Sequence, residues 1–259
     1  MNYENHTKTS LKAGKTCYGT FQSIASSTVS EILAHRGFDW ILVDMEHGAM
    51  DLETAGDMLA AIDRGGPTPL VRVQWNDQAA IKRVLDAGAL GVMIPMVNTE
   101  EEARQAVSYC RYAPEGVRGL GAGRASLFGV RLGEYMGVAN DQVLVMIQAE
   151  HKDAVANIDA ILSVPGIDVI FVGPYDLACS MGHGDQPGHP EVEAAIATVL
   201  AAAQRAGVVP GIFSMDPQTA KRRAAQGFRF IGFGIDSIFL DSAVKKGLEM
   251  VHGDGVLSL

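Results

Sequence analysis

Eight short apolar runs, separated by segments with helical spacing from one end of the chain to the other, limit the folds open to this sequence. The runs fall at 17–21, 40–44, 69–73, 91–95, 143–148, 168–172, 208–213 and 229–233. Several of them, such as Trp40-Ile-Leu-Val and Val169-Ile-Phe-Val, are continuously apolar instead of alternating. Strands that meet apolar neighbours on both faces read this way, which is the condition of a parallel sheet covered by helices. Between the runs, Leu52, Ala55, Leu59 and Ile62 repeat at helical spacing, after a candidate cap at Asp51 and before Gly65-Gly66. Thr99 with Glu102 fits a capping box, and Pro190 and Pro217 follow His189 and Asp216 where a first helical turn tolerates proline.

Eight such units without a break in composition predict a closed (β/α)₈ TIM barrel, an α/β fold, in preference to an open doubly wound sheet. The nearest glycine cluster, Gly119-Leu-Gly-Ala-Gly123, is not the Gly-x-Gly-x-x-Gly that opens a dinucleotide-binding crossover. The 259 residues, 47% of them hydrophobic, suit one barrel domain over 1–259, with 1–15 a polar N-terminal segment. The stretch 112–141 reads as a loop plus a short helix, long enough to be functional.

Charge and cysteine content narrow the function classes. A net charge of -9 with no basic run argues against nucleic acid and against anionic membrane surfaces, leaving a small molecule as the expected partner. Cys17, Cys110 and Cys179 are odd in number and show no paired spacing, so neither a disulfide framework nor a cysteine zinc site is expected. The polar first residues do not read as a secretory signal, and no apolar stretch reaches the roughly 18 residues of a spanning helix, so a cytoplasmic location is the expectation.

In such a barrel the chemistry sits at the C-terminal ends of the strands, so the polar residues there are the candidates. The second run ends in Asp44-Met-Glu46-His47, the third contains Arg72, the fifth ends in Gln148-Ala-Glu150, and the sixth is followed by Gly173-Pro-Tyr175-Asp176. Glu150 and Asp176 follow adjacent strands, within reach of a single cation, and two oxygen ligands with open positions suit Mg²⁺ or Mn²⁺. Each could equally cap a helix or pair with a nearby cation. His47, before a glycine at a strand end, could move a proton at neutral pH or be a hydrogen-bonded loop histidine. Arg72 lies within an apolar strand, where a cation needs a partner: a substrate carboxylate, an enolate oxygen, or Asp44 or Glu46. Asp86, in Val84-Leu-Asp-Ala-Gly88, reads as a helix C-terminal acid slightly at odds with the helix dipole.

Together these residues resemble the class II pyruvate aldolases of the HpcH/HpaI aldolase/citrate lyase family, over about 19–251. The likeness rests on Gly37-Phe-Asp-Trp, Asp44-Met-Glu-His, Val71-Arg-Val-Gln-Trp-Asn-Asp77, Leu85-Asp-Ala-Gly88, Pro95-Met-Val, Arg118-Gly, Gln148-Ala-Glu150 and Gly173-Pro-Tyr-Asp-Leu177. The resemblance implies a barrel of the phosphoenolpyruvate/pyruvate type that reversibly cleaves a 4-hydroxy-2-oxo acid to pyruvate and an aldehyde. It implies His47 as the base, Asp86 as the acid that raises its basicity, and Arg72 as the group that stabilises the enolate. It further implies Glu150 and Asp176 as ligands of Mg²⁺, Mn²⁺ or Co²⁺, with Gln148, Gly173, Tyr175 and Asp176 beside Arg72 around the 2-oxo acid, in a homo-oligomer, a hexamer. A cation holding negative charge on the oxygens of the 2-oxo acid needs no Schiff-base lysine, and no lysine lies in any of the eight runs. Phe21 stands where many members have tryptophan, and Tyr175 where alanine is more common; both positions are expected on the aldehyde side. Oxaloacetate decarboxylation or chemistry of the macrophomate synthase type would use the same groups. A barrel that binds a carboxylate without catalysis is the reading from another class.

Overall fold

The computed structural model describes residues 3–252. Of the single domain expected over 1–259, residues 1–2 and 253–259 lie outside the described residues. Eight parallel strands close on themselves in sequence order: β1 (Cys17–Gln22), β2 (Trp40–Asp44), β3 (Thr68–Arg72), β4 (Gly91–Ile94), β5 (Leu144–Ala149), β6 (Val169–Val172), β7 (Val209–Ser214) and β8 (Phe230–Ile235). Each coincides with one of the eight apolar runs to within two residues. Twelve α-helices are described, from α1 (His6–Lys12), α2 (Ser27–Ala34) and α3 (Leu52–Gly65) to α4 (Gln78–Asp86), α5 (Glu100–Cys110) and α6 (Leu132–Gln142). The second half holds α7 (Lys152–Ala156), α8 (Ile158–Leu162), α9 (Pro174–Ser180), α10 (Pro190–Ala206), α11 (Pro217–Gln226) and α12 (Asp236–His252). Among the described residues, no helix is long and apolar enough to cross a membrane.

The helix starts that the sequence marks have their caps or first-turn prolines in the structure. Asp51 accepts from the Thr54 N–H at 2.8 Å, Thr99 and Glu102 close a reciprocal capping box, and Pro190 and Pro217 stand in the first turns of α10 and α11.

Two apolar layers follow from strands buried on both faces. Outward-facing residues such as Ile41, Val43, Val71 and Ile147 pack against the helices, while Trp40, Leu42, Leu70, Met146 and Phe171 fill the barrel. Trp40 is fully buried and stacks on Phe230 at 4.2 Å between ring centres, which is possible only because Gly19 lacks a side chain. A Cβ there would lie 2.0 Å from the indole.

Within the polar N-terminal segment a helix forms, and its polar side chains are bonded to the barrel. Residues 6–12 form α1, which lies against the N-terminal ends of the strands. Asn5 caps it and also donates to the carbonyls of Leu90 and Gln142, at 2.8 and 3.0 Å, while Lys8 reaches Asp168 and the Val143 carbonyl, both at 2.9 Å. Its polar residues are polar because they satisfy the exposed backbone groups where the strands begin.

Candidate active site

The site is built first by sheet register. β2 and β3 pair so that Asp44 stands opposite Arg72, the last residue of each strand. Arg72 then donates through Nε to Asp44 Oδ1 at 2.9 Å and through Nη2 to Oδ2 at 2.6 Å, a two-pronged bond. Nη1 lies 3.1 Å from Glu46 Oε2, an ion pair whose angle misses a hydrogen bond. Burial works against the charge on Arg72, and Asp44, Glu46 and Glu150 together more than offset it, so the guanidinium is held above its ordinary pKa. The internal-partner reading of Arg72 is therefore observed, and it leaves one edge of the guanidinium facing the cavity.

Asp44 also shapes the turn that carries the histidine. Its Oδ1 accepts from the N–H groups of Glu46 and His47, at 3.1 and 3.3 Å, and its carbonyl from Gly48 at 3.1 Å. Gly48 is required by close approach, since a Cβ would sit 2.2 Å from that carbonyl oxygen. The turn leaves the His47 side chain 65% exposed at the rim, with Nε2 4.0 Å from Glu46 Oε2.

On the opposite side, Glu150 directly follows β5 and Asp176 lies in the first turn of α9. Gly173 separates them: a Cβ there would lie 3.1 Å from Glu150 Oε2 and 3.6 Å from Asp176 Oδ2, so both carboxylates converge on one notch beside this glycine. Met96, in the left-handed conformation at φ 53°, aims its N–H at Glu150 Oε1 over 2.8 Å. Gln148 donates to the other oxygen of Glu150, and its own Oε1 is buried without a hydrogen-bond partner. Glu150 is pushed up to about 7, mainly by burial; the Met96 N–H and Arg72 oppose the rise, and the charges of Glu46 and Asp176 add to it. Burial raises Glu46 as well.

A sign follows for stability. A carboxyl whose folded pKa is raised contributes stability that is full below its unfolded pKa and lost as pH rises through about 7. In EDTA, the wild type is expected to lose stability relative to Glu150→Gln between pH 5 and 8, by of order 3 kcal/mol. Urea unfolding of both proteins at both pH values checks this, and parallel pH profiles would contradict it.

His47, Arg72, Gln148, Gly173, Tyr175 and Asp176 line one cavity of about 240 Å³ at the C-terminal rim, with Glu150 against Gln148 at its edge. A larger cavity, about 580 Å³, opens at the other end of the barrel beside α1, but its buried charges, Lys8 and Asp168, are spent on each other. Asp86 is not paired with His47. Its carboxylate pairs with Arg118 at 2.8 Å, whose guanidinium lies over the rings of Tyr112 and Tyr135. Gly121 and Gly123 close over Asp86, so its local duty is to anchor the loop that follows Arg118. His183, His189 and Glu191 also gather, with ligand atoms within 4.8 Å of one another, yet His189 caps α10 and stacks on His183 at 3.6 Å. The positive end of a helix dipole there opposes a cation.

Arginine paired by register, histidine on a capped turn and two acids on a glycine notch stand at one rim, and the family profile of HpcH/HpaI aldolase/citrate lyase matches residues 18–243. The chain belongs to that family. A 4-hydroxy-2-oxo-heptane-1,7-dioate aldolase of Shigella sonnei (strain Ss046) is 41% identical over 244 residues, 93% of each chain. An HpcH/HpaI aldolase/citrate lyase family protein from Burkholderia cenocepacia J2315 superposes with a TM-score of 0.93 at 38% identity, covering 96% of this chain and 100% of that one. Macrophomate synthase superposes at 0.83 with 30% identity, covering 95% and 88%. The chain is thus a lyase of the HpcH/HpaI family.

The HpcH/HpaI cavity also has a wall that a search for polar strand ends passes over: Phe213, Met215 and Ile235, beside Phe21. The signal is positional. Ile235 ends β8 and Met215 follows β7, so the strand-end rule finds them once apolar residues are admitted.

Proposed function

We propose that this chain is a divalent-cation-dependent aldolase that reversibly cleaves a 4-hydroxy-2-oxo acid to pyruvate and an aldehyde. The observation that carries the reading is the convergence of Glu150 and Asp176 on the Gly173 notch, at the rim that also holds Arg72 and His47.

The residues fit a divalent cation, Mg²⁺, Mn²⁺ or Co²⁺. Four acids, Asp44, Glu46, Glu150 and Asp176, stand around one permanent cation, Arg72, which leaves negative charge to be offset. The unpartnered Oε1 of Gln148 is a further oxygen donor beside Glu150. Glu150 and Asp176 would hold the ion, which supplies Lewis acidity toward the oxygens of the 2-oxo acid.

The chain's own groups do the rest. Arg72, Gln148 and the backbone at Gly173 and Tyr175 bind the 2-oxo acid. In cleavage, a proton leaves the C4 hydroxyl, the C3–C4 bond breaks, and its electron pair forms the C2–C3 enolate as the aldehyde departs. Arg72, fixed by Asp44 before the reaction begins, faces the oxygen on which that charge develops, so little reorganisation is needed. His47 takes the hydroxyl proton and returns it to C3, completing the methyl group of pyruvate. No lysine lines the cavity, in keeping with a route without a Schiff base.

For His47→Asn, pyruvate release is expected to fall about 10²- to 10⁴-fold at saturating Mn²⁺. Release at the wild-type rate would remove His47 from the proton-moving role. The proposal includes a homo-oligomer, a hexamer: α12 leaves Leu240, Val244 and Leu248 exposed at a spacing of one turn, an apolar row suited to a second copy of the chain.

A further inference from the structure

Resting on the aldolase reading, we infer that the aldehyde this site takes is uncharged and apolar, with an alkyl or aryl tail. Arg72 lines the cavity with its guanidinium carbon 5.1 Å from the ring centre of Phe21. On one side stand the polar groups assigned to the 2-oxo acid. On the other, β1, β7 and β8 present Phe21, Phe213, Met215 and Ile235, with Phe21 edge-on to Phe213 at 5.4 Å. An aldehyde reacting at C3 of the enolate has to extend its tail along this wall.

The wall holds no permanent positive charge for a tail carboxylate. Among the described residues that line the cavity Arg72 is the one lysine or arginine, and it is assigned to the 2-oxo acid. The small cavity next door shares Tyr175, Phe213 and Met215 with this one, and its Arg223 is held by both oxygens of Glu193, at 2.7 and 2.6 Å. Its Arg222 is exposed to solvent and interacts with Asp216. A tail carboxylate would therefore lose water against phenyl rings without compensation, whereas a hydrocarbon tail gains by leaving water. The heptane-1,7-dioate named for the Shigella sonnei relative carries such a second carboxylate at its far end. Among the described residues of one chain, this cavity offers it no cationic partner.

The test compares two aldehydes of the same shape, 4-methylpentanal and 4-oxobutanoate, as acceptors for pyruvate with Mn²⁺. The apolar aldehyde is expected to exceed the carboxylated one in kcat/KM by about tenfold or more. Met215→Arg, which sets a cation into the wall at a partly exposed position, is expected to shift that ratio about tenfold toward the carboxylated aldehyde. A ratio is unaffected by how much of a preparation is folded. Parity, or preference for 4-oxobutanoate by the wild type, overturns the inference, as does a ratio unmoved by Met215→Arg. Exchange of pyruvate methyl protons with D₂O, measured alongside, separates the causes. Exchange without the preference sinks this inference alone, and neither exchange nor condensation sinks the aldolase reading and the inference with it.

Discussion

Replacing Arg72 by lysine is expected to lower kcat about 10²- to 10³-fold while leaving KM for the 2-oxo acid within a few-fold of wild type. Lysine keeps the charge but not the fork. Arg72 uses Nε and Nη2 on Asp44 and turns Nη1 toward Glu46, and a single ammonium reproduces at most one of these attachments. The substitution therefore frees the cation to wander and leaves a buried carboxylate oxygen without a donor, for a stability loss of about 1–3 kcal/mol. Steady-state pyruvate release and urea unfolding read the two effects separately. Wild-type kcat in the Arg72→Lys variant would mean that Arg72 serves the fold and not the developing oxyanion.

A second large effect is expected at Glu150. Glu150→Gln keeps the size of the side chain and can still meet Gln148, but removes one of the two carboxylates at the Gly173 notch. Mn²⁺ affinity is expected to fall at least about tenfold to a hundredfold. Pyruvate release is expected to fall more than about a hundredfold at Mn²⁺ concentrations that saturate the wild type, with partial recovery at higher Mn²⁺. Calorimetric titration with Mn²⁺ and the cleavage assay check the two statements. Because the metal-free variant is also expected to be the more stable protein at pH 8, loss of activity and loss of fold point in opposite directions, and unfolding cannot account for the outcome.

The barrel was legible because its signal is local and repeated. Trp40-Ile-Leu-Val and Val169-Ile-Phe-Val are buried on both faces, and several helix starts carry their own caps, as Asp51, Thr99 and Asp216 do. The polar half of the site was legible for a related reason, that a charge at the end of an apolar strand is costly and has to be used. What was hidden depends on partners distant in the sequence. Residues 1–15 read as a polar segment because the groups that Asn5 and Lys8 satisfy lie from 85 to 160 residues away. Asp86 reads as a lone acid until Arg118 and the glycines of the following loop are placed against it. Phe213 and Ile235 read as core residues for as long as the strand-end rule is applied to polar side chains alone.

The mechanism as a whole depends on the acidity of the carbon beside the ketone of a bound 2-oxo acid, and that acidity is measured directly by NMR of pyruvate in D₂O. With the wild-type protein and Mn²⁺ or Mg²⁺, the methyl protons are expected to be replaced by deuterium without any aldehyde present, at a rate abolished by EDTA and restored by adding the ion back. Exchange that continues unchanged in EDTA, or a methyl signal that never diminishes in the presence of the ion, would contradict the account.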